Sequence, residues 1–401
     1  MKISKIVKLS SLAIQLPIYF SSFFIEKRDD IWVFGSWKGQ LYNDNSKYFF
    51  EYIVDEKKDI KAFWIAKNRG LYKELKSNGK PVLYCYSPKG IYIQLKAGAC
   101  FFTQSHRLDL LGSAVGRNTL LVQLWHGMPL KKILNDDAAH KTQEKSIFNT
   151  ILNKVFPWTI DKWDMVTSPS TKAEAVFRSA FGDEIKIINS GFPRNVNFLK
   201  ETTKPAHRIK NIIYMPTFRG YSLSKESNLF IEKYFAKNNF DYELINQICK
   251  NNDIIFNIKL HPTNNISRFL KEKLRKLSNI NYIESNFDFY EEANNFDLLI
   301  TDYSSVFFDF VLTGKPLLHV AFDLQEYILE SRDLYFNYND ISIGKDFSDW
   351  LEVFNFIVSM DFNELKELSS YKKVFSLMDA NEVNSCAVIH DEAVSYLNKN
   401  V

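Results

Sequence analysis

The 401-residue sequence has little of what marks several common classes of protein. It has only four cysteines, none of them closely paired, so neither a disulfide framework nor a cysteine-based zinc site is indicated. A reducing compartment fits this cysteine content. The net charge is only +4, which gives no reason to expect a nucleic-acid partner, although local basic clusters could contact anionic lipid.

Several short signatures are also missing. The chain has no glycine-rich dinucleotide fingerprint, no phosphate-binding loop ending in Lys-Ser or Lys-Thr, and no zinc-protease helix motif. No two aspartates have the Asp-x-Asp spacing with which many sugar transferases hold a metal and a diphosphate. We therefore predict no cofactor and no obligatory protein-held metal, and expect helix amides, His261 and arginine to meet any phosphate charge.

The apolar stretch near the start of the chain is too short to span a membrane. Leu12 to Ile25 covers 14 residues, with polar interruptions and three lysines before it, whereas spanning needs about 20 residues. Residues 23–28 do not have the small side chains of a secretory cleavage site. We predict that residues 1–29 associate with an anionic membrane surface, and the alternative is an ordinary buried first helix.

The rest of the chain alternates short apolar runs with helical stretches, which predicts an α/β fold with parallel sheets. A polar stretch at residues 201–205 separates two such series, so we predict domains at 30–204 and 205–401, with terminal helices in the second. The first series comprises Ile31–Phe34, Ala62–Ile65, Pro81–Tyr84, Cys100–Phe102 and Leu120–Leu124, and the second Ile212–Tyr214, Ile254–Ile258, Tyr282–Ile283, Leu298–Ile300 and Pro316–Leu318.

Two histidines follow predicted strands, where ligands bind in open parallel sheets. His126 comes after Leu120–Leu124 and before a Gly-x-Pro turn, and His261 comes after Ile254–Ile258 and before Pro262. Either histidine alone could be structural. The occurrence of one at a strand end in each predicted domain favours a role in chemistry.

Polar residues follow two further strands of the second domain. Thr217 and Arg219 offer a hydroxyl, a backbone amide and a planar cation suited to phosphate. Ser304 and Ser305 begin a helix after Thr301, where they could either cap the helix or hold a phosphate at its positive end. Asp309 would lie one turn farther along, placed to accept hydrogen bonds from a ribose or polyol.

Five ordered motifs resemble the CDP-glycerol glycerophosphotransferase family, whose members build teichoic acids and some capsules. They are Trp125-His126-Gly127-x-Pro129-Leu130-Lys131, Gly191-Phe192-Pro193-Arg194-Asn195, Pro216-Thr217-x-Arg219, Lys259-Leu260-His261-Pro262 and Thr301-Asp302-Tyr303-Ser304-Ser305. The resemblance extends from about Ile31 to Tyr338 and includes Phe34-Gly35-Ser36 and Tyr42-Asn43-Asp44-Asn45-Ser46.

The resemblance implies a GT-B-like fold, in which two Rossmann-like domains face a central cleft. The N-terminal domain would hold the acceptor and the C-terminal domain the nucleotide donor, with peripheral attachment to the cytoplasmic face of the membrane. It makes His126 the general base and places His261 beside the donor phosphates. The positions that would contact the donor are Arg194, Pro216, Thr217, Arg219, Lys259, Thr301, Ser304, Ser305 and Asp309.

The implied reaction moves glycerol phosphate from CDP-glycerol to a hydroxyl of a lipid-linked glycan or growing polymer and releases CMP. Met128, Val196 and the stretch Ser342–Lys345 depart from the family pattern, and they bear on which acceptor and which polyol are used. Three alternatives stay open: ribitol phosphate transfer from CDP-ribitol, a nucleotide-sugar glycosyltransferase of the same fold, and an inactive membrane scaffold. The sequence indicates no oligomeric state.

Overall fold

The computed structural model describes residues 9–138, 147–199, 209–217, 230–261, 264, 266–284, 287–330, 333–379 and 384–399. The chain forms two compact units. The first comprises Met1–His126, Ile133–Val196 and Ala380–Val401, and the second comprises Gly127–Lys132 and Asn197–Asp379. Among the described residues, no helix has both the length and the apolar character needed to cross a bilayer.

The first unit contains a seven-stranded parallel sheet with the strand order β3-β2-β1-β4-β5-β6-β7. The order reverses between β1 and β4, and such a reversal is where ligands bind in open parallel sheets. The strands are β1 (Arg28–Phe34), β2 (Lys61–Ala66), β3 (Val82–Tyr84), β4 (Ala97–Phe102), β5 (Leu120–Gln123), β6 (Met165–Ser168) and β7 (Lys186–Asn189).

Helices cover both faces of this sheet because successive strand residues point to opposite sides and both sides are apolar. Trp32 and Phe101 pack on one face with α2, and Val33 and Cys100 pack on the other with Leu95 of α4. The helices of the first unit are α1 (Leu16–Ser21), α2 (Asp44–Glu56), α3 (Arg69–Ser77), α4 (Pro88–Lys96), α5 (His106–Asp109), α6 (Ile147–Val155) and α7 (Glu174–Phe181), and the chain leaves this unit in α8 (Val196–Leu199).

The second unit contains a five-stranded parallel sheet with the order β10-β9-β8-β11-β12, which reverses between β8 and β11. Its strands are β8 (Asn211–Tyr214), β9 (Ile255–Lys259), β10 (Ile280–Ile283), β11 (Leu298–Thr301) and β12 (Leu317–His319). Its helices are α9 (Phe230–Lys237), α10 (Tyr242–Asn251), α11 (Arg268–Leu274), α12 (Phe289–Glu292), α13 (Val306–Phe310), α14 (Leu324–Glu330), α15 (Trp350–Ser359), α16 (Phe362–Glu367) and α17 (Ser369–Met378).

The structure differs from the predicted domain boundaries at the C-terminus. The last helix, α18 (Ser385–Lys399), belongs to the first unit, although we predicted that residues 205–401 would form the second domain. Its apolar side chains Cys386, Ile389 and Ala393 pack into the same core as Trp32, which explains the assignment. The predicted boundary at residues 204 and 205 lies outside the described residues.

Candidate active site

His126 lies in the turn directly after β5. The residue before it, Trp125, has φ +55°, and Gly127 after it has φ +119°, so the chain adopts left-handed conformations on both sides of the histidine. Asn45 holds this turn, because its side-chain amide donates to the carbonyls of Leu124 and Trp125, each at 3.0 Å. A non-glycine residue in this conformation is uncommon and needs such support.

The imidazole of His126 has a defined tautomer. Its Nδ1 lies 2.9 Å from the carbonyl oxygen of Thr103. A carbonyl only accepts hydrogen bonds, so Nδ1 of the neutral ring carries the proton and Nε2 keeps a lone pair. The His126 side chain is also accessible to solvent. This arrangement suits a general base that accepts a proton at Nε2.

The protein surrounding His126 favours the neutral imidazole. Desolvation by this surrounding protein lowers the pKa of His126, even though part of the side-chain surface contacts solvent. The charge of Asp44 and the Thr103 carbonyl act in the opposite direction, and the Arg194 cation lowers the pKa further. The ring is therefore available as a base at neutral pH.

A buried ion pair lies on the His126 side of the first unit. The Arg194 guanidinium donates to Asp44 at 2.8 Å, and the side chains are only 4% and 6% exposed. The Arg194 backbone amide donates to Asn45 at 3.1 Å, and the Trp37 indole donates to Asp44 at 3.3 Å. We predicted that Arg194 contacts the nucleotide donor, and the structure places it in the first unit with His126.

A second buried carboxylate organises the loops after β1 and β4. Asp109 accepts hydrogen bonds from the backbone amides of Lys38 at 2.7 Å, Gln104 at 2.8 Å and Thr103 at 3.0 Å. Burial raises the pKa of Asp109 to about 6, against the opposing effect of these amides and of Lys67. Because Thr103 also receives the His126 hydrogen bond, Asp109 helps to hold the peptide that orients the imidazole.

The corresponding edge of the second sheet is organised by Asp302, which follows β11. Its carboxylate accepts from the backbone amide and the hydroxyl of Thr217, both at 2.7 Å, and from the amide of Tyr303 at 2.5 Å. The hydroxyl of Thr301 donates to the carbonyl of Met215 at 2.7 Å. Thr301 and Thr217 therefore tie the ends of β8 and β11 together, and the carbonyl of Pro216 lies between these anchors in the chain.

Ser304 and Ser305 lie between β11 and α13, as predicted, and both are partly exposed. Ser305 occupies the N-cap position but makes no side-chain capping hydrogen bond. Ordinary capping, one of the two interpretations of this pair, is therefore not what the Ser305 hydroxyl does. Asp309 is fully buried in α13 and accepts from the Tyr290 hydroxyl at 3.3 Å.

Lys259 and His261 lie at the carboxyl end of β9. Burial lowers the pKa of Lys259, and the Asp288 carboxylate acts in the opposite direction. Burial also lowers the pKa of His261 to about 4, with a further contribution from the Lys259 charge. His261 is therefore neutral at neutral pH. Arg219, which we predicted to contact the donor, lies outside the described residues.

The structure thus brings the predicted site residues into two groups. Thr217, His261 and Ser304 lie at one edge of the second sheet, because β9, β8 and β11 are neighbours and parallel. His126 and Arg194 lie in the first unit with Asp44, Asn45 and Asp109, which sequence reasoning did not select. The stretch Tyr42–Ser46 had been matched to the family without a role, and no pattern marked Asp109. No cluster of three or more potential His, Cys, Asp or Glu metal ligands occurs in the part of the chain that the structure describes.

The chain is similar to proteins of known function. The chain is 28% identical over 375 residues to the teichoic acid poly(glycerol phosphate) polymerase of Bacillus spizizenii, covering 86% of this chain and 87% of that protein. It is also 28% identical over 318 residues to the teichoic acid glycerol-phosphate transferase of Staphylococcus aureus, covering 76% and 77% of the two chains.

A solved structure of the wall teichoic acid polymerase TagF superposes on this chain with a TM-score of 0.70 and 21% identity, covering 100% of this chain and 97% of that one. This likeness confirms the predicted α/β, GT-B-like fold. The family model for "CDP-Glycerol:Poly(glycerophosphate) glycerophosphotransferase" matches residues 18–385. The resemblance predicted from the five motifs is therefore confirmed, and the chain belongs to the CDP-glycerol:poly(glycerophosphate) glycerophosphotransferase family.

Proposed function

We propose that this protein transfers glycerol phosphate from CDP-glycerol to a hydroxyl group of a lipid-linked glycan or growing polymer and releases CMP. The observation that carries the proposal is His126, an accessible histidine whose Nδ1 is held by the Thr103 carbonyl and whose Nε2 is a proton acceptor. It occurs in a chain of the glycerophosphotransferase family. Glycerol is favoured over ribitol as the polyol because the relatives described above are named for glycerol phosphate.

His126 would act as the base while the acceptor hydroxyl attacks the donor phosphorus. An acceptor hydroxyl has a pKa far above neutral, so the attack needs a base. As the acceptor oxygen bonds to the phosphorus that carries glycerol, its proton passes to Nε2 of His126. The bond from that phosphorus to the bridging oxygen breaks, and CMP leaves with the electron pair. The Asp44 carboxylate favours the imidazolium formed in this step.

The second unit would hold the donor. The partly exposed Ser304 and Ser305, at the end of β11, offer hydroxyl donors to phosphate oxygens. His261 is neutral without ligand, and a bound diphosphate would raise its pKa by supplying negative charge. Proton uptake would then make His261 a charged hydrogen-bond donor to the departing CMP phosphate.

We further propose that the protein works at the cytoplasmic face of the membrane as a peripheral protein. Ile14, Phe20 and Phe24 in and around α1 are 76%, 57% and 87% exposed. Leu12 from the same segment packs against Leu152 of α6, so one side of the segment is held by the first unit. An apolar surface held in this way suits insertion into the headgroup region. Deletion of residues 1–25 should reduce sedimentation with anionic liposomes, and unchanged sedimentation would reject this segment as the anchor.

The function is tested by nucleotide release. Purified protein is offered CDP-glycerol, CDP-ribitol, UDP-glucose and UDP-N-acetylglucosamine separately, each with a bacterial membrane extract as the acceptor source. We expect acceptor-dependent CMP release from CDP-glycerol, and His126→Ala should abolish it while donor binding is largely retained. Release of UDP from a UDP-sugar alone would favour a glycosyltransferase, and normal turnover by His126→Ala would exclude His126 as the base.

A further inference from the structure

One segment of the first unit carries a large excess of positive charge. Residues 67–96 contain seven lysines and arginines, one glutamate and no aspartate, a net charge of +6, whereas the whole chain carries +4. The remainder of the chain is therefore slightly negative. Such a concentration of one sign produces a local field that attracts polyanions.

The segment forms one edge of the seven-stranded sheet. It includes α3, the edge strand β3 and α4. Leu75 of α3 packs into the core on one face of the sheet, and Leu95 of α4 packs into the core on the opposite face. The cations therefore lie on both sides of the edge strand. We call this surface the basic edge.

Five of the seven cations in the basic edge are available to a ligand. Lys67 donates to the carbonyl of Leu108 at 2.6 Å, and Lys80 forms an ion pair with Glu51 at 3.0 Å. The remaining cations have no ion pair with a carboxylate among the described residues, and all but Lys96 are exposed; they are Arg69, Lys73, Lys76, Lys89 and Lys96. Arg69, Lys73 and Lys76 have the spacing of one helix face and span about 10 Å of α3.

Tyrosines lie among these cations, and their geometry restricts the kind of polyanion. The cationic group of Arg69 lies 5.3 Å from the ring centroid of Tyr84, and that of Lys96 lies 5.1 Å from the ring centroid of Tyr92. Lys76 covers a third tyrosine ring, at 5.6 Å. Three of the four tyrosine rings in the basic edge therefore have a face covered by a cation, which makes them poor platforms for stacking nucleic-acid bases, because stacking needs an open aromatic face. The phenolic hydroxyls can still donate to phosphate oxygens.

The basic edge also differs from a membrane-inserting surface. The only large apolar side chains that it exposes are Tyr86 and Tyr92, at 52% and 48%. Its aliphatic side chains point into the cores of the two sheet faces. The strongly exposed aliphatic and phenylalanine side chains of the first unit include Ile14 and Phe24, which lie in the N-terminal segment. The edge therefore offers charge and hydrogen-bond donors with little apolar area for insertion.

We propose that the basic edge binds the polymer itself, a flexible chain of phosphodiesters without bases, and so holds the growing product on the first unit. The inference rests on the proposed function, because the polymer is the acceptor and product of that reaction. Binding along the chain keeps the polymer attached between transfers and raises the local concentration of its end. We therefore expect the KM for a long acceptor to be lower than the KM for a short one.

Binding and turnover are measured separately to test this inference. The variant Arg69→Ser/Lys73→Ser/Lys76→Ser removes three exposed cations from α3. A matched control, Lys250→Ser/Arg275→Ser/Lys276→Ser, removes three exposed cations at the ends of α10 and α11, which precede β9 and β10. The probe is a fluorescently labelled long glycerol-phosphate oligomer, followed by anisotropy at several salt concentrations. We expect the α3 variant to bind it about tenfold more weakly with a shallower salt dependence, and the control to bind like the parent.

Turnover with a short acceptor separates this inference from the proposed function. The α3 variant should release CMP from CDP-glycerol normally with a short acceptor and show a raised KM only for the long one. If the parent releases CMP and the α3 variant binds the long oligomer as tightly as the parent does, the inference is wrong and the proposed function is unaffected. If the α3 variant loses binding to phosphatidylglycerol vesicles and still binds the oligomer like the parent, the basic edge is a membrane-binding surface instead. If the parent binds a single-stranded DNA oligomer of the same charge as tightly as the glycerol-phosphate oligomer, the basic edge does not select a chain without bases.

Discussion

The buried ion pair beside His126 can be broken from either side. Asp44→Asn removes the negative charge and keeps the shape, and Asn tolerates the φ of +62° at this position. Arg194→Met removes the positive charge and keeps most of the apolar stem. At 2.8 Å, the attraction in the pair is about 6 kcal/mol for an effective dielectric constant of about 20. Desolvation offsets much of this, but removing one partner leaves a buried charge and costs about 3–5 kcal/mol.

A double-mutant cycle tests this magnitude. Urea titration of the parent, each single variant and Asp44→Asn/Arg194→Met gives four free energies of unfolding. Because the double variant leaves no unpaired charge, it should be more stable than the sum of the single losses implies, with a coupling energy of about 2 kcal/mol or more. Single losses below about 1 kcal/mol, the range of exposed pairs, would refute the assignment of a buried pair.

The same variants should move the pH profile of turnover in opposite directions. Asp44 raises the pKa of His126 and Arg194 lowers it. The acid limb of kcat/KM should therefore shift to lower pH in Asp44→Asn and to higher pH in Arg194→Met. Shifts of the same sign, or none in either variant, would contradict the electrostatic coupling between this pair and the base.

Three further predictions concern titration and donor binding. Burial lowers the pKa of His106 and His319 to about 4, so the unfolded chain binds protons that the folded chain does not as pH falls from 6.5 to 4. Each histidine should therefore lower the free energy of unfolding by up to about 3 kcal/mol over this pH range. Urea titrations of His319→Asn should show a weaker dependence of this free energy on pH. CDP-glycerol binding should take up a proton at His261, which calorimetry in buffers of different ionisation enthalpy would detect in the parent and not in His261→Gln. Ser304→Ala with Ser305→Ala should weaken CDP-glycerol binding about tenfold or more, and unchanged affinity would place the phosphate site elsewhere.

Much of the fold was predictable because strands buried on both faces give continuous apolar runs. Ten of the described strands correspond to such runs. The strands β6 and β7 were not predicted, since Met165–Ser168 and Lys186–Asn189 are short and carry polar ends. Nor could local periodicity assign α18 to a unit. The sequence pattern of its apolar face does not indicate which sheet it packs against. Only the tertiary packing on Trp32 shows that it belongs to the first unit.

The candidate site was predictable where it follows strand ends and not where it depends on distant partners. His126 and Thr217 were found because both come directly after apolar runs. Asp44 and Arg194 are far apart in the chain, so no local spacing could indicate that they form an ion pair. Asp109 was missed for a related reason. Its partners are backbone amides of two separate loops, and every residue type except proline has such an amide, so the sequence does not indicate these hydrogen bonds.

The most direct test of the central claim follows the glycerol itself. Purified protein is incubated with CDP-glycerol radiolabelled in the glycerol carbon and with a bacterial membrane extract, and label is counted in polymer and in small molecules as CMP appears. We predict one labelled glycerol phosphate in the polymer for each CMP released, joined by a phosphodiester, and none with His126→Ala. CMP release with the label left as free glycerol phosphate would show hydrolysis and contradict a transferase.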